Sequence, residues 1–230
     1  MPRSRLSFKI LVVGDCGVGK SCIVNKVLQN SFRPSYIPTL GMDLFKKKIE
    51  VQGRKAELCI WDCSGREIFK SVRSPYYGNA VGVLLVYDIT TYRSFENIIK
   101  WYIKISVDVH PSAVLMLVGN KSDLNIKREV MDKRAKNLAK LYGFVFMETS
   151  ALQYINIEEV FQILASEIYN RNLGRIYLLE NQSRQIKNES HLLNVKKEPN
   201  RPQERKKECC EGMCFPWRLN WRWLMRSRSN

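Results

Sequence analysis

A glycine-rich segment near the N-terminus has the residue types and spacing needed to hold a phosphate group. Residues 14–21, GDCGVGKS, match the pattern GxxxxGK(S/T), in which glycines let backbone N–H groups approach phosphate oxygens. Lys20 supplies a cation for the β- and γ-phosphates, and Ser21 supplies a hydroxyl for Mg²⁺. The pattern predicts a nucleoside triphosphate site, the alternative being a glycine turn without a ligand. The predicted phosphate contacts are Gly14, Asp15, Cys16, Gly17, Val18, Gly19, Lys20, Ser21 and Cys22.

Three further residues extend the predicted phosphate and metal site. Asp62 ends a predicted strand in the segment WDCSG, where its carboxylate can hold Mg²⁺ through water. Gly65 can then bring a backbone N–H to the γ-phosphate. Thr39 is the expected second hydroxyl ligand, although a single threonine in a loop is more commonly a turn residue. The predicted metal set is therefore Ser21, Thr39 and Asp62, the last acting through water.

A polar motif further along the chain has the chemistry to recognise guanine. Residues 120–123, NKSD, follow a predicted strand at 113–119. The Asp123 carboxylate can accept hydrogen bonds from guanine N1–H and its 2-amino group, whereas adenine presents an acceptor there, and each lost bond costs about 1.5–3 kcal/mol. NKSD is also good turn chemistry when it stands alone. The predicted base contacts are Asn120, Lys121, Asp123 and the pair Ser150 and Ala151, whose backbone can donate to the guanine oxygen. The expected ligands are GTP and GDP.

The elements that must position these residues alternate between strands and helices. Apolar, β-rich runs predict strands at 8–13, 42–51, 54–62, 81–87, 113–119 and 144–147. Helical spacing and composition predict helices at 20–30, 94–109, 132–142 and 157–169. Gln52-Gly53 predicts a hairpin turn, so the alternation favours an α/β, mostly parallel sheet with one antiparallel edge strand. In such sheets the ligand lies at the carboxyl ends of the strands.

Length, composition and charge exclude some classes of protein and divide the chain in two. The 230 residues are 45% hydrophobic, which excludes whole-chain disorder, and no apolar stretch is long enough for a spanning helix or a signal sequence. We therefore expect an intracellular protein. The net charge is +16, of which residues 171–230 carry +8 from 14 Lys/Arg and 6 Asp/Glu. This excess alone fits nucleic acid, an anionic membrane or simple solubility.

Taken in order, these motifs resemble those of Ras-superfamily small GTPases, and within them the Rab family. The likeness covers about residues 7–170. The general GTPase match is at residues 14–21, 62–66, 120–123 and 148–151. The Rab likeness is at residues 40–44, 60–62, 68–72, 76–80, 85–90 and 94–101. The resemblance implies a P-loop GTPase fold with a six-stranded sheet and about five helices, and a Mg²⁺-dependent switch between GTP and GDP states.

The resemblance also implies roles for two segments that respond to the nucleotide. Switch I is expected at about residues 31–43 and switch II at about 64–79, where Thr39 and Gly65 would bind the γ-phosphate state and release it on hydrolysis. Phe32 matches the aromatic that packs against guanine, and Leu152 stands where a lysine is common. The hydrophobic triad read by effectors falls at Leu44, Trp61 and Tyr76. Leu44 replaces the usual aromatic, and Trp61 alternatively serves only as a core residue.

Arg66 stands where the family has a glutamine that orients the attacking water. Glutamine accepts a hydrogen bond from water and donates to a γ-phosphate oxygen, whereas a guanidinium has no acceptor. We therefore expect slow intrinsic GTP hydrolysis and a long-lived GTP state. The alternative is that Arg66 points to solvent and a GTPase-activating partner supplies the missing group.

The C-terminal part of the chain has a different character. Residues 171–208 are polar and predict a flexible linker, and residues 209–230 are rich in Cys, Trp and Arg. Cys209 and Cys210 follow a basic cluster, as lipidated cysteines of Rab proteins do, but 20 residues follow them, so they form neither a terminal CC nor a CaaX box. Helical spacing separates Trp and Arg faces, which predicts binding of residues 205–226 to an anionic membrane surface. A disordered extension is the alternative.

The family resemblance implies a set of partners and a location. We expect an exchange factor, a GTPase-activating protein and effectors that read the two switches, in a monomer without nucleic acid. The expected place is the cytoplasmic face of an intracellular membrane, with a role in vesicle traffic. The alternatives are a scaffold that stays bound to GTP, a P-loop ATPase or nucleotide kinase, and a P-loop protein whose basic tail binds nucleic acid.

Overall fold

A computed structural model of the chain describes residues 6–28, 39, 41–65 and 77–173. The six strands in these ranges are β1 (Leu6–Val13), β2 (Met42–Val51), β3 (Arg54–Cys63), β4 (Gly82–Asp88), β5 (Val114–Asn120) and β6 (Val145–Glu148). The four α-helices there are α1 (Lys20–Val27), α2 (Tyr92–Ser106), α3 (Asp132–Tyr142) and α4 (Ile157–Arg171). A short 3-10 helix, Ser122–Lys127, is the fifth helical element. The predicted strands and α-helices are confirmed, whereas the sequence patterns made no separate prediction for the 3-10 helix.

The strands form one sheet in the order β2-β3-β1-β4-β5-β6. All neighbours are parallel except β2, which runs antiparallel to β3 at the edge. The edge strand β2 joins its neighbour β3 through Gln52 and Gly53, whose φ angles of 49° and 72° give the turn the left-handed backbone that matches strand twist. The sheet is therefore the mostly parallel α/β sheet with one antiparallel edge that the sequence predicts.

Apolar residues cover both faces of the sheet. Along β1, Ile10 and Val12 pack on one face with α1 and α4, and Leu11 and Val13 pack on the other with residues of α2 and α3. Burial on both faces explains why the parallel strands are nearly continuous apolar runs. The sheet therefore has a buried apolar cluster on each face.

The helix α2 shows how an amphipathic sequence is placed against this sheet. Phe95, Ile98, Trp101 and Ile105 recur at helical spacing and are buried. The helix ends at Ser106, three residues before the predicted end, and the backbone then turns ahead of Pro111. Because this face is buried, the helix is held against the sheet, and so are the α2 side chains that point towards the loop after β1.

Polar loops follow the carboxyl ends of the parallel strands. Residues 14–19 follow β1, residues 64–65 follow β3, residues 89–91 follow β4, and residues 121–123 follow β5. Because parallel strands end at the same edge of a sheet, these loops gather the predicted phosphate and base motifs into one region.

Candidate nucleotide-binding site

The loop between β1 and α1 packs so closely against its neighbours that it requires glycine. Gly14 has φ 144°, and a Cβ there would collide with the carbonyl oxygen of Val86 on β4. Gly19 has φ 94°, and a Cβ there would collide with the Asn120 side chain. Both positions combine a backbone region that favours glycine with a close neighbour. The phosphate loop is therefore held between the ends of β4 and β5.

Lys20 is the buried cation of this loop. Its Nζ donates to the carbonyl oxygens of Gly14, at 2.9 Å, and Asp15, at 2.7 Å. Burial lowers the pKa of Lys20, and the nearby charge of Asp62 opposes that shift. A buried ammonium held at the mouth of a loop of backbone N–H groups is suited to binding phosphate oxygens.

The three residues predicted to hold a metal lie close together. The hydroxyls of Ser21 and Thr39 are 3.0 Å apart, and Ser21 also hydrogen-bonds the Asp62 carboxylate. Asp62 is buried, and its Oδ1 has no hydrogen-bond partner within the described residues. Burial raises the pKa of Asp62. The hydrogen bond from Ser21 and the positive charge of Lys20 act to lower that pKa, but burial outweighs them. Two hydroxyls beside a carboxylate with an unused oxygen fit Mg²⁺, which prefers oxygen ligands and keeps several waters.

A different kind of metal centre has no support in the same parts of the chain. In residues 6–28, 39, 41–65 and 77–173, no group of three or more His, Cys, Asp or Glu residues is arranged to hold an ion. A hard cation held by hydroxyls, one carboxylate and phosphate oxygens is thus the form of metal binding that these residues fit.

Gly65 lies directly on the phosphate loop. A Cβ at this position would collide with the backbone at Asp15 and Cys16, so only glycine allows this approach. The preceding residue is fixed as well, because the Ser64 N–H donates to the Gly41 carbonyl at 2.8 Å. The segment after β3 therefore lies against the loop between β1 and α1.

Asn120 connects the base motif to the phosphate loop. Its Nδ2 donates to the Val18 carbonyl at 2.8 Å, and its Oδ1 accepts from Thr149 Oγ1 at 3.2 Å. The Ala151 N–H also donates to Asn120 Oδ1, at 3.3 Å. Asn120 thereby ties together the loops after β1, β5 and β6. The Ala151 N–H predicted to meet guanine is engaged with Asn120 in this structure.

Lys121 and Asp123 are held by side chains from neighbouring loops. Lys121 has φ 68°, and its Nζ lies 2.5 Å from Asp88 Oδ2 at the end of β4. Asp123 Oδ1 accepts from Ser150 Oγ at 2.5 Å. These contacts tie the loop after β5 to the end of β4 through Lys121 and to the loop after β6 through Asp123. Leu152, in the loop after β6, is exposed.

Asp88 takes part in this arrangement and was missed by sequence reasoning. Its Oδ1 accepts from the Thr90 N–H at 2.9 Å and the Thr90 hydroxyl at 2.7 Å, while Oδ2 faces Lys121. The signal for it was its place at the carboxyl end of a parallel strand, the rule that located the other motifs.

The predicted effector triad is described only in part. Leu44 on β2 is 46% exposed and pairs in register with Trp61 on β3. Trp61 is partly exposed, and Lys9 Nζ lies 5.2 Å from the centroid of the Trp61 ring. Five predicted site residues lie outside the described residues: Phe32, Arg66, Tyr76, Cys209 and Cys210. In the described part of the chain, no helix is both long and apolar enough to cross a membrane.

Comparison with known proteins places most of the chain in a known family. The family model described as the Ras family matches residues 9–170. The chain is 41% identical over 168 residues to Ras-related protein Rab-13 of Canis lupus familiaris, covering 73% of this chain and 83% of that protein. It is 44% identical over 163 residues to Ras-related protein Rab-8B of Dictyostelium discoideum, covering 71% and 80%. For Ras-related protein Rab-8 of Diplobatis ommata the identity is 36% over 201 residues, covering 87% and 92%.

The fold, the loop chemistry and these matches together define the class of protein. A six-stranded α/β sheet carries a GxxxxGK(S/T) loop after β1 and an NKSD motif after β5, which is the arrangement of a P-loop GTPase. The chain belongs to the Rab family of Ras-superfamily small GTPases. Proteins of this superfamily bind GTP and GDP with Mg²⁺ and act as GTPase switches.

Proposed function

We propose that this chain is a guanine-nucleotide switch whose own residues hold GTP or GDP at the loops after β1, β3, β5 and β6. The observation that carries the proposal is the juxtaposition of two sets of groups at one sheet edge. Lys20, Ser21 and Asp62 form a phosphate and metal set, and Asn120 joins them to Lys121 and Asp123 through its bond to the phosphate loop. One nucleotide can contact both sets at once.

Each residue has a distinct role in this proposal. Lys20 and the loop N–H groups bind the phosphates, and Ser21, Thr39 and Asp62 hold Mg²⁺, Asp62 through water. When bound, Mg²⁺ would neutralise charge on the phosphate oxygens. Asp123 selects guanine by accepting from its N1–H and 2-amino groups, and the stem of Lys121 covers the base. Gly65 brings a backbone N–H to the γ-phosphate.

The nucleotide content of the purified protein tests this proposal. We expect the full chain, isolated in Mg²⁺, to carry about one guanine nucleotide per molecule, identified by chromatography after denaturation. Lys20→Ala is the matched control, and we expect it to carry much less because the phosphates lose a buried cation. Adenine nucleotide in the wild type, or equal content in Lys20→Ala, contradicts the assignment.

We also propose that intrinsic GTP hydrolysis is slow, because of the residue type at position 66. Arg66 occupies the place of the water-orienting glutamine, and it has no acceptor for the attacking water. The GTP state is then long-lived unless a GTPase-activating partner supplies the missing group. A scaffold that never hydrolyses GTP is the extreme form of the same proposal.

Single-turnover hydrolysis of GTP separates these possibilities. We expect Arg66→Gln to hydrolyse bound GTP about tenfold or more faster than the wild type, because the new side chain both accepts from water and donates to phosphate. Arg66→Lys is the matched control and should remain slow, since it also lacks an acceptor. Equal rates for the wild type and Arg66→Gln refute the proposal of impaired hydrolysis.

We also propose that the protein acts on a membrane in vesicle traffic, with an exchange factor, a GTPase-activating protein and effectors that read switch I and switch II. Membership of the Rab family supports the general expectation of these three kinds of partner. The Cys, Trp and Arg content of residues 205–226 supports contact with an anionic leaflet on the cytoplasmic side. We propose a monomer without nucleic acid as a ligand, and lipidation at Cys209 or Cys210 as a further anchor.

Sedimentation with liposomes tests the tail without lipidation. We expect the full bacterially produced chain to pellet with phosphatidylserine vesicles and to stay in solution with neutral vesicles, because the basic residues add attraction to an anionic surface. Replacing Trp217, Trp221 and Trp223 with Ala should reduce pelleting while leaving the net charge unchanged. No pelleting of the wild type with phosphatidylserine contradicts direct binding.

A further inference from the structure

The phosphate loop contains an acidic residue, Asp15, in a place built to bind anions. A carboxylate among phosphate-binding N–H groups would repel the ligand if it pointed towards it. In the structure the Asp15 carboxylate is instead held by α2. Trp101 Nε1 donates to Oδ1 at 2.8 Å, and Asn97 Nδ2 donates to Oδ2 at 2.5 Å. Each carboxylate oxygen therefore has its own donor from one helix.

The two donors are rigidly placed. Asn97 and Trp101 are four residues apart on α2, so they lie on the same face of the helix. Trp101 is buried, and the adjacent Ile98 and Ile105 fix the helix against the sheet. Lys100 Nζ donates to Asn97 Oδ1 at 2.9 Å, which orients the amide so that its NH₂ group faces Asp15.

The backbone of Asp15 meets the other parts of the site. Its carbonyl accepts from Lys20 Nζ at 2.7 Å, and Gly65 lies against the peptide that joins Asp15 to Cys16. A shift of Asp15 would therefore move the partner of the buried ammonium and the surface on which the segment after β3 lies. The side chain of Asp15 is anchored to α2, while its main chain shapes the phosphate site.

We propose that Asn97 and Trp101 are positioning residues that hold Asp15, and with it the phosphate loop, in the conformation that retains nucleotide. The link from α2 thereby sets how slowly bound nucleotide is released. This inference rests on the proposed binding of guanine nucleotide. No residue of α2 is among the predicted phosphate, base and metal contacts. The inference gives α2 control over how long the nucleotide stays bound.

A charge exchange between positions 15 and 97 tests the link. Asn97→Asp sets two carboxylates against each other, and we expect release of a fluorescent GDP from the full chain in Mg²⁺ to become about tenfold faster. In the double variant Asn97→Asp with Asp15→Asn, the new amide can donate to the new carboxylate and still accept from Trp101. We expect the double variant to return to within about threefold of the wild-type rate.

A second variant removes one donor without adding charge. Trp101→Phe keeps an aromatic ring in the core but loses the N–H, and we expect it also to speed release of the fluorescent GDP. Tyr102→Phe is the matched control on the same helix, because it also removes a polar atom from an aromatic ring. Ile105→Val is the control for a general loss of stability in α2. Neither control should change the release rate by more than about twofold.

The outcomes separate this inference from the proposed function. Unchanged release rates in Asn97→Asp and Trp101→Phe, with lowered melting temperatures, would show a packing contact only and overturn the inference. A double variant no better than Asn97→Asp would overturn it as well. A wild-type protein that retains no fluorescent GDP would instead contradict guanine-nucleotide binding itself. Restoration in the double variant supports the inference.

Discussion

Lys20 and Asp62 place opposite charges in a buried part of the site, and burial disfavours the charged form of each. The pKa of Lys20 is lowered and the pKa of Asp62 is raised, mainly by burial, although each charge partly offsets the shift of the other. Asp62 also has an oxygen without a hydrogen-bond partner among the described residues. Both side chains are therefore held at a cost to stability that phosphate and Mg²⁺ would offset on binding.

The first prediction at this scale separates the stability of the free protein from its function. Asp62→Asn removes a buried charge, so we expect the Tm in EDTA without nucleotide to stay the same or to rise. Each kcal/mol gained in the free energy of unfolding would raise the Tm by about 2–4 °C. With Mg²⁺ and GDP the same variant should gain less Tm than the wild type, because the metal loses a carboxylate. Thermal denaturation under the two conditions measures both effects. Equal stabilisation of the two proteins by Mg²⁺ and GDP would argue against a metal role for Asp62.

Tyr87 carries the other buried side-chain oxygen that has no hydrogen-bond partner in the described ranges. Its hydroxyl lies close to Gly119, and its ring packs edge-on against Phe95 at 5.1 Å between centroids. Tyr87→Phe keeps the ring and removes the unpaired hydroxyl, so we expect the free energy of unfolding to stay the same or rise by about 1 kcal/mol. Urea denaturation measures it. A loss of more than about 1 kcal/mol would reveal a stabilising role for the hydroxyl.

At the scale of elements, one side chain attaches the edge strand β2 to two helices. Lys47 donates to the Val27 carbonyl at the end of α1 and lies 2.8 Å from Glu158 Oε1 in the first turn of α4. Burial acts to raise the pKa of Glu158, but hydrogen bonds from Lys47 and Tyr154 outweigh it, so that pKa lies below its usual value. The edge strand β2 is thus tied to α1 and α4 through one side chain.

This contact predicts a pH-dependent stability. A carboxyl whose pKa is lower in the folded protein stabilises the fold above its ordinary pKa of 4.5 and loses that contribution as the pH falls below it. Because Glu158 is half-exposed, we expect Glu158→Gln to lower the free energy of unfolding at pH 7 by about 1 kcal/mol or less. Urea denaturation from pH 7 to pH 3 measures the difference.

The neighbouring Glu159→Gln is the matched control for that measurement. Both glutamates lie in the first turn of α4, so both variants lose the same favourable interaction with the helix dipole. We expect only Glu158→Gln to show the larger loss at pH 7. A difference between the two variants that persists at pH 3 would contradict the assignment to the charged contact with Lys47.

The elements were predictable from the sequence because each has a local signal. Period-two and apolar runs marked the strands, helical spacing marked α2 and α4, and Gln52-Gly53 marked the hairpin. The links between elements were not predictable in the same way. The contacts of Asp15 with α2 join residues 82 and 86 positions apart, and no local pattern specifies which side chains such distant segments bring together. They depend on packing that only the folded sheet defines.

At the scale of the whole molecule, the basic excess has two parts with different meanings. Within the Ras-family match, Lys20 bonds to the loop after β1, and Lys47, Lys121 and Arg128 are paired with carboxylates. Half of the net charge, +8 of +16, lies in residues 171–230, beyond the Ras-family match. The sequence predicted the nucleotide motifs by residue type and order, but it could not show that Asn120 bonds to the loop after β1. That contact makes the two halves of the site one unit.

The selection of guanine by Asp123 is the central claim, and equilibrium competition against a fluorescent GDP tests it most directly. We expect unlabelled GDP to compete with the wild-type protein at least about a hundredfold better than ADP, because ADP leaves the carboxylate without its two donors. In Asp123→Asn this preference should largely disappear, while Ser122→Ala at the neighbouring position should retain it. Comparable competition by ADP and GDP in the wild type, or full preference for GDP in Asp123→Asn, would contradict the account.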